Sequence, residues 1–386
     1  MGRARVVRGG VAGAAAVLLL VAGCSSPSDG AGGRAATSPG SSAPPVSSPP
    51  VSSPAASTPP AAARVRVAGT LTEGLRSPWG VAELPGGDLL VSSRDERTVT
   101  RVDAGTGHRT SLGEVPGVVP GGEGGLMGLA VRGDRVYAYL TSASDNRIVR
   151  MRYGGGAGDR LGPPEPVLTG IPKGLVHNGG RIAFGPDGML YAGTGETGRS
   201  RLAQDKGSLG GKILRMTPEG RPAPGNPFPG SVVWSYGHRN VQGLAWDDAG
   251  RLWASEFGQD TWDELNRIQP GRNYGWPTVE GRAGRTGFTD PVAQWPTAEA
   301  SPSGIAYARG AIWMAGLRGE RLWRIPLSGA ERSGEPQALL KGEFGRLRTV
   351  LATAGGTRLW LVTSETDTRG TPGPGDDRIL RLEITP

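Results

Sequence analysis

From Arg64 onward, apolar positions fall into short runs separated by Gly-rich turns, and the runs repeat. Each unit begins with a small–apolar–Ala strand: Trp79-Gly80-Val81-Ala82, Met127-Gly128-Leu129-Ala130, Ile182-Ala183-Phe184, Gly243-Leu244-Ala245, Gly304-Ile305-Ala306 and Thr349-Val350-Leu351. A second apolar strand follows: Leu89-Leu90-Val91, Val136-Tyr137-Ala138, Leu190-Tyr191-Ala192, Leu252-Trp253-Ala254, Ile312-Trp313-Met314 and Leu359-Trp360-Leu361. A third ends in Arg plus an apolar residue: Arg101-Val102, Arg150-Met151, Arg215-Met216, Arg267-Ile268, Arg324-Ile325 and Arg381-Leu382. Six units spaced by roughly 45–60 residues predict an all-β chain, a six-bladed β-propeller of four-stranded antiparallel blades over 64–386, with no second domain. A sandwich would not repeat so regularly. Small residues suit a first strand crowded at the axis. The longest inserts, between the third and fourth and the fourth and fifth units, are where a site is expected.

Upstream of the repeat the pattern vanishes. Residues 25–63 are nearly all Ser, Pro, Ala, Gly and Thr, with Val46 and Val51 the only branched aliphatics. Such a segment cannot bury enough apolar surface to offset its ordering entropy. As extended polyproline II it could reach roughly 120 Å. Residues 1–24 read as a lipoprotein signal peptide. Arg3, Arg5 and Arg8 form a positive start, Val11 to Val21 an apolar stretch too short to span a bilayer, and Val21-Ala22-Gly23-Cys24 a lipobox-like end. Cys24 is the single cysteine, so a structural disulfide is excluded. The chain is expected to be exported and held by lipid on the outer face of a bacterial membrane, its only membrane contact.

Composition agrees with many short strands and turns: Gly 66, Pro 33 and only 6% aromatic residues. The net charge of +8 comes from scattered arginines, only 4 of the basic residues being Lys, with no basic run. Nucleic-acid binding would call for a clustered footprint, so no such partner is expected.

Three groups of residues could carry chemistry. His177 precedes the third unit's first strand, whose hairpin turns at Gly185-Pro186-Asp187-Gly188. Counting outward from the turn places His177 opposite Glu196 at one end of the hairpin. A carboxylate beside an imidazole orients the ring and supports the charge it gains as a general base; a loop His capping a strand fits the same spacing. Arg239-Asn240-Val241-Gln242 precedes the fourth first strand, Arg346 and Arg348 the sixth, and Arg318 follows the fifth second strand. Arginines from three blades at one face suit an anionic ligand, because the guanidinium fork matches carboxylates; ordinary surface Arg is the other reading. Ser255 to Glu264 is a polar turn that offers oxygens to a hard cation such as Ca²⁺, without EF-hand spacing.

The segments Gly122-Glu123-Gly124-Gly125-Leu126-Met127-Gly128, His177-Asn178-Gly179-Gly180-Arg181, Gly237-His238-Arg239-Asn240-Val241-Gln242-Gly243-Leu244 and Asp263-Glu264-Leu265-Asn266 with Gly271-Arg272-Asn273-Tyr274-Gly275-Trp276-Pro277 together resemble the glucose/sorbosone dehydrogenases that use pyrroloquinoline quinone. The resemblance implies oxidation of an aldose's anomeric hydroxyl to the lactone, hydride passing to the quinone, and reoxidation by a separate electron acceptor. It implies His177 as the base, Glu196 as its support, and Glu123 where the soluble glucose enzyme has a substrate-touching Gln. Arg239, Asn240, Gln242, Arg346 and Arg348 match cofactor-binding positions, and Arg318 falls where that enzyme has a Lys. Trp295 and Thr297 belong to a Trp-Pro-Thr run beside cofactor and substrate. Gly258 and Gln259 stand where two carbonyls hold the cofactor's Ca²⁺. Glu264 and Tyr274 match carbonyls of a second, structural Ca²⁺ site, for which the stretch to Phe288 offers only Glu280 as a carboxylate. The Gln-to-Glu and Lys-to-Arg departures argue against assuming glucose. A non-catalytic propeller module and a Ca²⁺-dependent lactonase are the rival readings.

The lipobox makes a direct prediction. Cys24→Ser should abolish incorporation of a fatty-acid probe in metabolic labelling, and a labelled mutant would refute the anchor.

Overall fold

In a computed structural model, residues 64–154 and 160–385 are described. Cys24, the expected signal peptide and the Ser/Pro/Ala-rich segment lie outside the described residues. The first three strands of every blade fall where the sequence pattern puts them. Blade one is Pro78–Glu83, Leu89–Ser93, Thr98–Val102 and Arg109–Glu114, hydrogen-bonded in that order from the axis outward. Blades two, three and four repeat the meander from Leu126–Arg132, Ile182–Phe184 and Val241–Trp246. Blade five begins with Pro302–Ala308, and two short strands, Glu331–Arg332 and Gln337–Leu339, share the outer side of its third strand. Six antiparallel sheets in a ring make a six-bladed propeller.

The outer strands carry no repeat in the sequence, and the structure shows why. Arg109–Glu114 is exposed at four of its six positions and partly so at a fifth, with Leu112 the one buried residue. The sixth blade takes its outer strand from the other end of the chain. Arg64–Thr72 runs antiparallel to Ile379–Thr385, with Val67 opposite Leu382. This pairing closes the ring.

Six apolar clusters fill the six gaps between neighbouring blades. Leu90, Val99 and Leu112 of blade one meet Leu126, Val136 and Val149 of blade two; Val81 and Leu89 meet Trp360 and Ile379 across the closure. Inner strands are therefore buried on both faces and read as continuous apolar runs, without polar alternation. At the axis the first strands approach to backbone contact. A Cβ on Gly80 would lie 2.3 Å from the Met127 carbonyl oxygen, and one on Gly243 would lie 2.4 Å from that of Ser303.

These contacts make Gly80→Ala destabilising by about 2 kcal/mol or more, the scale of an overpacked core. Gly86, in a turn with nothing within 4 Å of its would-be Cβ, should tolerate Ala within about 0.5 kcal/mol. Urea denaturation of the two variants checks the contrast.

Candidate active site

A cavity of about 340 Å³ opens at one end of the axis, where the chain enters the first strands and turns from second to third. It is lined by His177, Glu123, Arg239, Asn240, Gln242, Gly258, Gln259, Thr297, Arg318, Arg346 and Arg348, so the structure brings together residues spread over more than two hundred positions. Trp79, Arg94, Asp263, Asp367 and Arg369 join them.

His177 sits at a left-handed φ of 51°, a conformation that a non-glycine residue adopts only when its surroundings fix it. Two contacts do so. Its N–H donates to Glu123 Oε2 at 2.8 Å, and its carbonyl accepts the Thr197 N–H at 3.1 Å. The hairpin register, Ile182 opposite Ala192, carries His177 to Thr197, one residue beyond the count from the turn. Having left the extended conformation, His177 nevertheless pairs through Nδ1 with Glu196 Oε1. That leaves Nε2 as the ring nitrogen available to a ligand. Glu196 is 2% exposed, also accepts the Gly198 N–H, and its Oε2 is buried without a partner among the described residues. The following loop is tied down by Lys212, whose Nζ donates to the carbonyls of Leu202, Ala203 and Gly210. Burial pushes the pKa of this ammonium down to about 7.

The same anchoring recurs around the ring. The N–H of Arg239 donates to Glu256 Oε1, that of Ser301 to Asp263 Oδ2, and that of Arg346 to Glu365 Oε1. At the head of the first strand in blades three to six, a carboxylate holds the backbone and leaves the side chain to the cavity.

The guanidinium groups differ in what already occupies them. Arg346 and Arg348 both donate to Asp367 Oδ2, at 3.0 and 2.7 Å, and Arg348 also reaches Gln242 Oε1 at 3.1 Å. Arg94 is held by Asp95. Arg239 donates to the Phe257 carbonyl and lies over the Trp276 ring, but its Nε is buried with no partner among the described residues. Arg318 is exposed and makes no hydrogen bond or ion pair among the described residues. Asn240 accepts the Gly179 N–H and so joins blades three and four.

In the turn after the fourth blade's second strand, one carboxylate oxygen organises the backbone. Glu280 Oε1 accepts the N–H groups of Gln259, Asp260, Thr261 and Trp262 at 2.7 to 3.2 Å, while Gly258 donates to Asp263. Burial pushes the Asp263 carboxyl up to about 7. With their donors drawn to these acids, the carbonyls of Gly258 and Gln259 accept no hydrogen bond among the described residues. Glu280 is thus committed to backbone donors. Glu264 and Tyr274 line a separate small cavity behind this turn; the Glu264 side chain accepts from Asn266 and Gly281, and Tyr274 Oη donates to the Arg267 carbonyl. Trp295 is not brought to the main cavity. It is 4% exposed and packs on Trp323, with ring centroids 5.5 Å apart. Among the described residues, no group of three or more His, Cys, Asp or Glu side chains is placed to hold a metal ion.

Both sequence and fold are similar to those of known proteins. The profile of the glucose / sorbosone dehydrogenases matches residues 75–372. The chain belongs to the glucose/sorbosone dehydrogenase family. The PQQ-bound aldose sugar dehydrogenase of Streptomyces coelicolor is 69% identical, with a TM-score of 0.82 over 85% of this chain and all of that one. A putative oxidoreductase (glucose dehydrogenase) of Thermus thermophilus is 44% identical, with a TM-score of 0.75 over 83% of this chain and all of that one. Aldose sugar dehydrogenase YliI of Escherichia coli is 30% identical over 266 residues, 64% of this chain and 71% of its own length.

Asp367, Arg94 and Arg369 escape the sequence reading. Position could have found Arg94, which follows its blade's second strand as Arg318 does. Asp367 matters most of the three. Burial works to raise its carboxyl pKa, but the guanidinium groups of Arg348 and Arg346 outweigh burial and hold it at about 2. Its folded value lies below the unfolded one, so its stabilisation is complete above about pH 4 and is lost as pH falls through 2. Asp367→Asn should cost about 2 kcal/mol at neutral pH, and the gap from wild type should shrink between pH 4 and 2. Melting temperatures measured across that range check the sign.

Proposed function

We propose that this member of the glucose/sorbosone dehydrogenase family is a quinoprotein dehydrogenase that oxidises the anomeric hydroxyl of an aldose to the lactone, with pyrroloquinoline quinone and Ca²⁺ as cofactors. The observation that carries the reading is the arrangement of guanidinium groups from three blades around one cavity, facing a carboxylate-backed imidazole. The cavity fits the quinone's three carboxylates. Among the described residues Arg239 keeps a buried Nε unpartnered and Arg318 is unpaired, while Arg346 and Arg348, braced together by Asp367, line the same cavity. The unused carbonyls of Gly258 and Gln259 suit a hard cation, which prefers oxygen ligands.

When bound, the quinone supplies the two-electron acceptor, an electrophilic carbonyl carbon that takes a hydride. His177 Nε2 takes the proton of the anomeric hydroxyl as the C–H bond gives up its hydride, and the C–O bond becomes the lactone carbonyl. Glu196 keeps Nδ1 engaged and stabilises the ring as it gains charge. Asn240 fixes the Gly179 backbone and Gln242 orients Arg348 at the cavity, where both would help hold the cofactor. Glu123 spans His177 and Arg369, whose Nη2 lies 2.7 Å from Glu123 Oε1, and so sits where an incoming sugar hydroxyl would compete for that oxygen. Export and a lipid on Cys24 would present the site outside the membrane, where a separate acceptor reoxidises the cofactor.

Apoprotein given pyrroloquinoline quinone and Ca²⁺ should reduce a dye in the presence of an aldose panel. Arg346→Ala with Arg348→Ala should lose several kcal/mol of quinone binding, since charge-assisted bonds are the strong ones. His177→Ala should lower turnover by about 10²–10⁴-fold with quinone affinity nearly intact. Wild-type protein that ignores the quinone in calorimetry would refute the dehydrogenase reading; undiminished turnover in His177→Ala would refute the base.

A further inference from the structure

Arg181 is not accounted for by the chemistry above. It precedes the third blade's first strand and projects across the axis. Nε donates to the Gln242 carbonyl at 2.7 Å and Nη2 to Thr349 Oγ1 at 3.1 Å, and the guanidinium lies 4.4 Å from the centre of the Trp79 ring. One side chain of blade three thus contacts blades four, six and one. It is 8% exposed, and among the described residues no carboxylate pairs with it. The charge that acts on it, Arg348, is another cation.

Its neighbours are treated differently. Arg346 and Arg348 share Asp367, and Arg94 has Asp95. A buried cation with no counter-ion is strongly unfavourable, and a neutral side chain of similar shape would serve packing better. Burial pushes its pKa down to about 9, so it stays charged at neutral pH. On its far side Arg181 also lines an axial cavity of about 240 Å³, whose other walls are mainly apolar, among them Val81, Leu129, Ile182, Leu244 and Val350, with Glu83 the one acid. Apart from Arg181 that cavity holds no cation, whereas the cavity beyond Trp79 gathers several arginines that suit a polycarboxylate. On the near side is Trp79, which lines the arginine-rich cavity while Arg181 does not.

We propose that Arg181 is a positioning residue whose buried charge, acting through the Trp79 indole, helps hold a polycarboxylate ligand in the cavity at the expense of the empty protein's stability. This deepens the quinone reading and rests on it. A charge one ring away, in surroundings that screen poorly, acts on every carboxylate of the ligand at once, which makes an effect of roughly tenfold or more in affinity reasonable. A structural peg gives the opposite pattern: its loss would loosen the empty protein.

The test compares Arg181→Gln, which keeps donors without the charge, with Arg181→Lys, which keeps the charge without the fork. Calorimetry with pyrroloquinoline quinone and Ca²⁺ should show affinity at least tenfold weaker for Gln and within about threefold for Lys. The melting temperature of the Gln apoprotein should equal or exceed that of wild type. Unchanged quinone affinity in the Gln variant overturns the proposal, as does an equal loss in Gln and Lys with a lowered melting temperature in both. Failure of the functional reading is distinct, because wild type itself would then not bind the quinone. In that case citrate, a tricarboxylate without quinone chemistry, gives the same comparison, and equal citrate affinity in wild type and the Gln variant overturns the role of Arg181.

Discussion

Close approach of six first strands around one axis is the constraint on which the molecule depends. A blade can bury both faces only if its neighbours lie against it all the way inward, and near the axis no room is left for side chains between some backbones. Gly80 against the Met127 carbonyl and Gly243 against that of Ser303 mark this limit. The small–apolar–Ala pattern of the first strands follows from that crowding, and the six interblade clusters lie outside it. Closure is non-local: the ring is completed only when Arg64–Thr72 pairs with Ile379–Thr385.

Convergence at the axis also brings distant residues to one cavity, but it does not hold them in useful directions. At the heads of the first strands the ladders have ended, and backbone donors need other partners. Carboxylates provide them: Glu123 for His177, Glu256 for Arg239, Asp263 for Ser301 and Glu365 for Arg346. Each such bond satisfies a donor that would otherwise be left at a turn, and where the acid is ionised it is charge-assisted. The acidic residues of this face therefore act largely as backbone anchors, which is compatible with a cavity that presents mainly cations.

Much of this was legible in the sequence, for identifiable reasons. Strands buried on both faces leave continuous apolar runs, so the first three strands of each blade were located. Outer strands are short, half-exposed and varied, as in Arg109–Glu114, and leave no period to find. The pairing of His177 with Glu196 emerged from counting, although the ladder itself leads to Thr197 and the left-handed turn at His177 accommodates the difference. The cationic positions were visible because they adjoin first strands. Asp367 was not, because the connection between the second and third strands that carries it, residues 364–378, differs in length and sequence from the corresponding connections of the other blades. The placing of Trp295 in the core also eluded a reading by motif, since a run shared with relatives says which residues are near a site and not which of them face it.

The distribution of counter-ions then separates two jobs that arginine performs here. Arg94, Arg346 and Arg348 are paired with acids, which fixes their direction and tempers their charge. Arg239 is held by a carbonyl and an aromatic face; among the described residues it keeps one buried nitrogen unpartnered, and Arg318 at the rim and Arg181 beneath Trp79 have no acid to pair with. Paired groups give the cavity its shape, whereas unpaired ones leave it with unbalanced positive charge. Such a balance is poor for the empty fold, because buried cations without counter-ions are disfavoured. It becomes favourable when several carboxylates enter together, so the cavity and an anionic ligand complete each other's electrostatics. The fold tolerates this because six interblade clusters stabilise the scaffold independently of the charges gathered at one end of its axis.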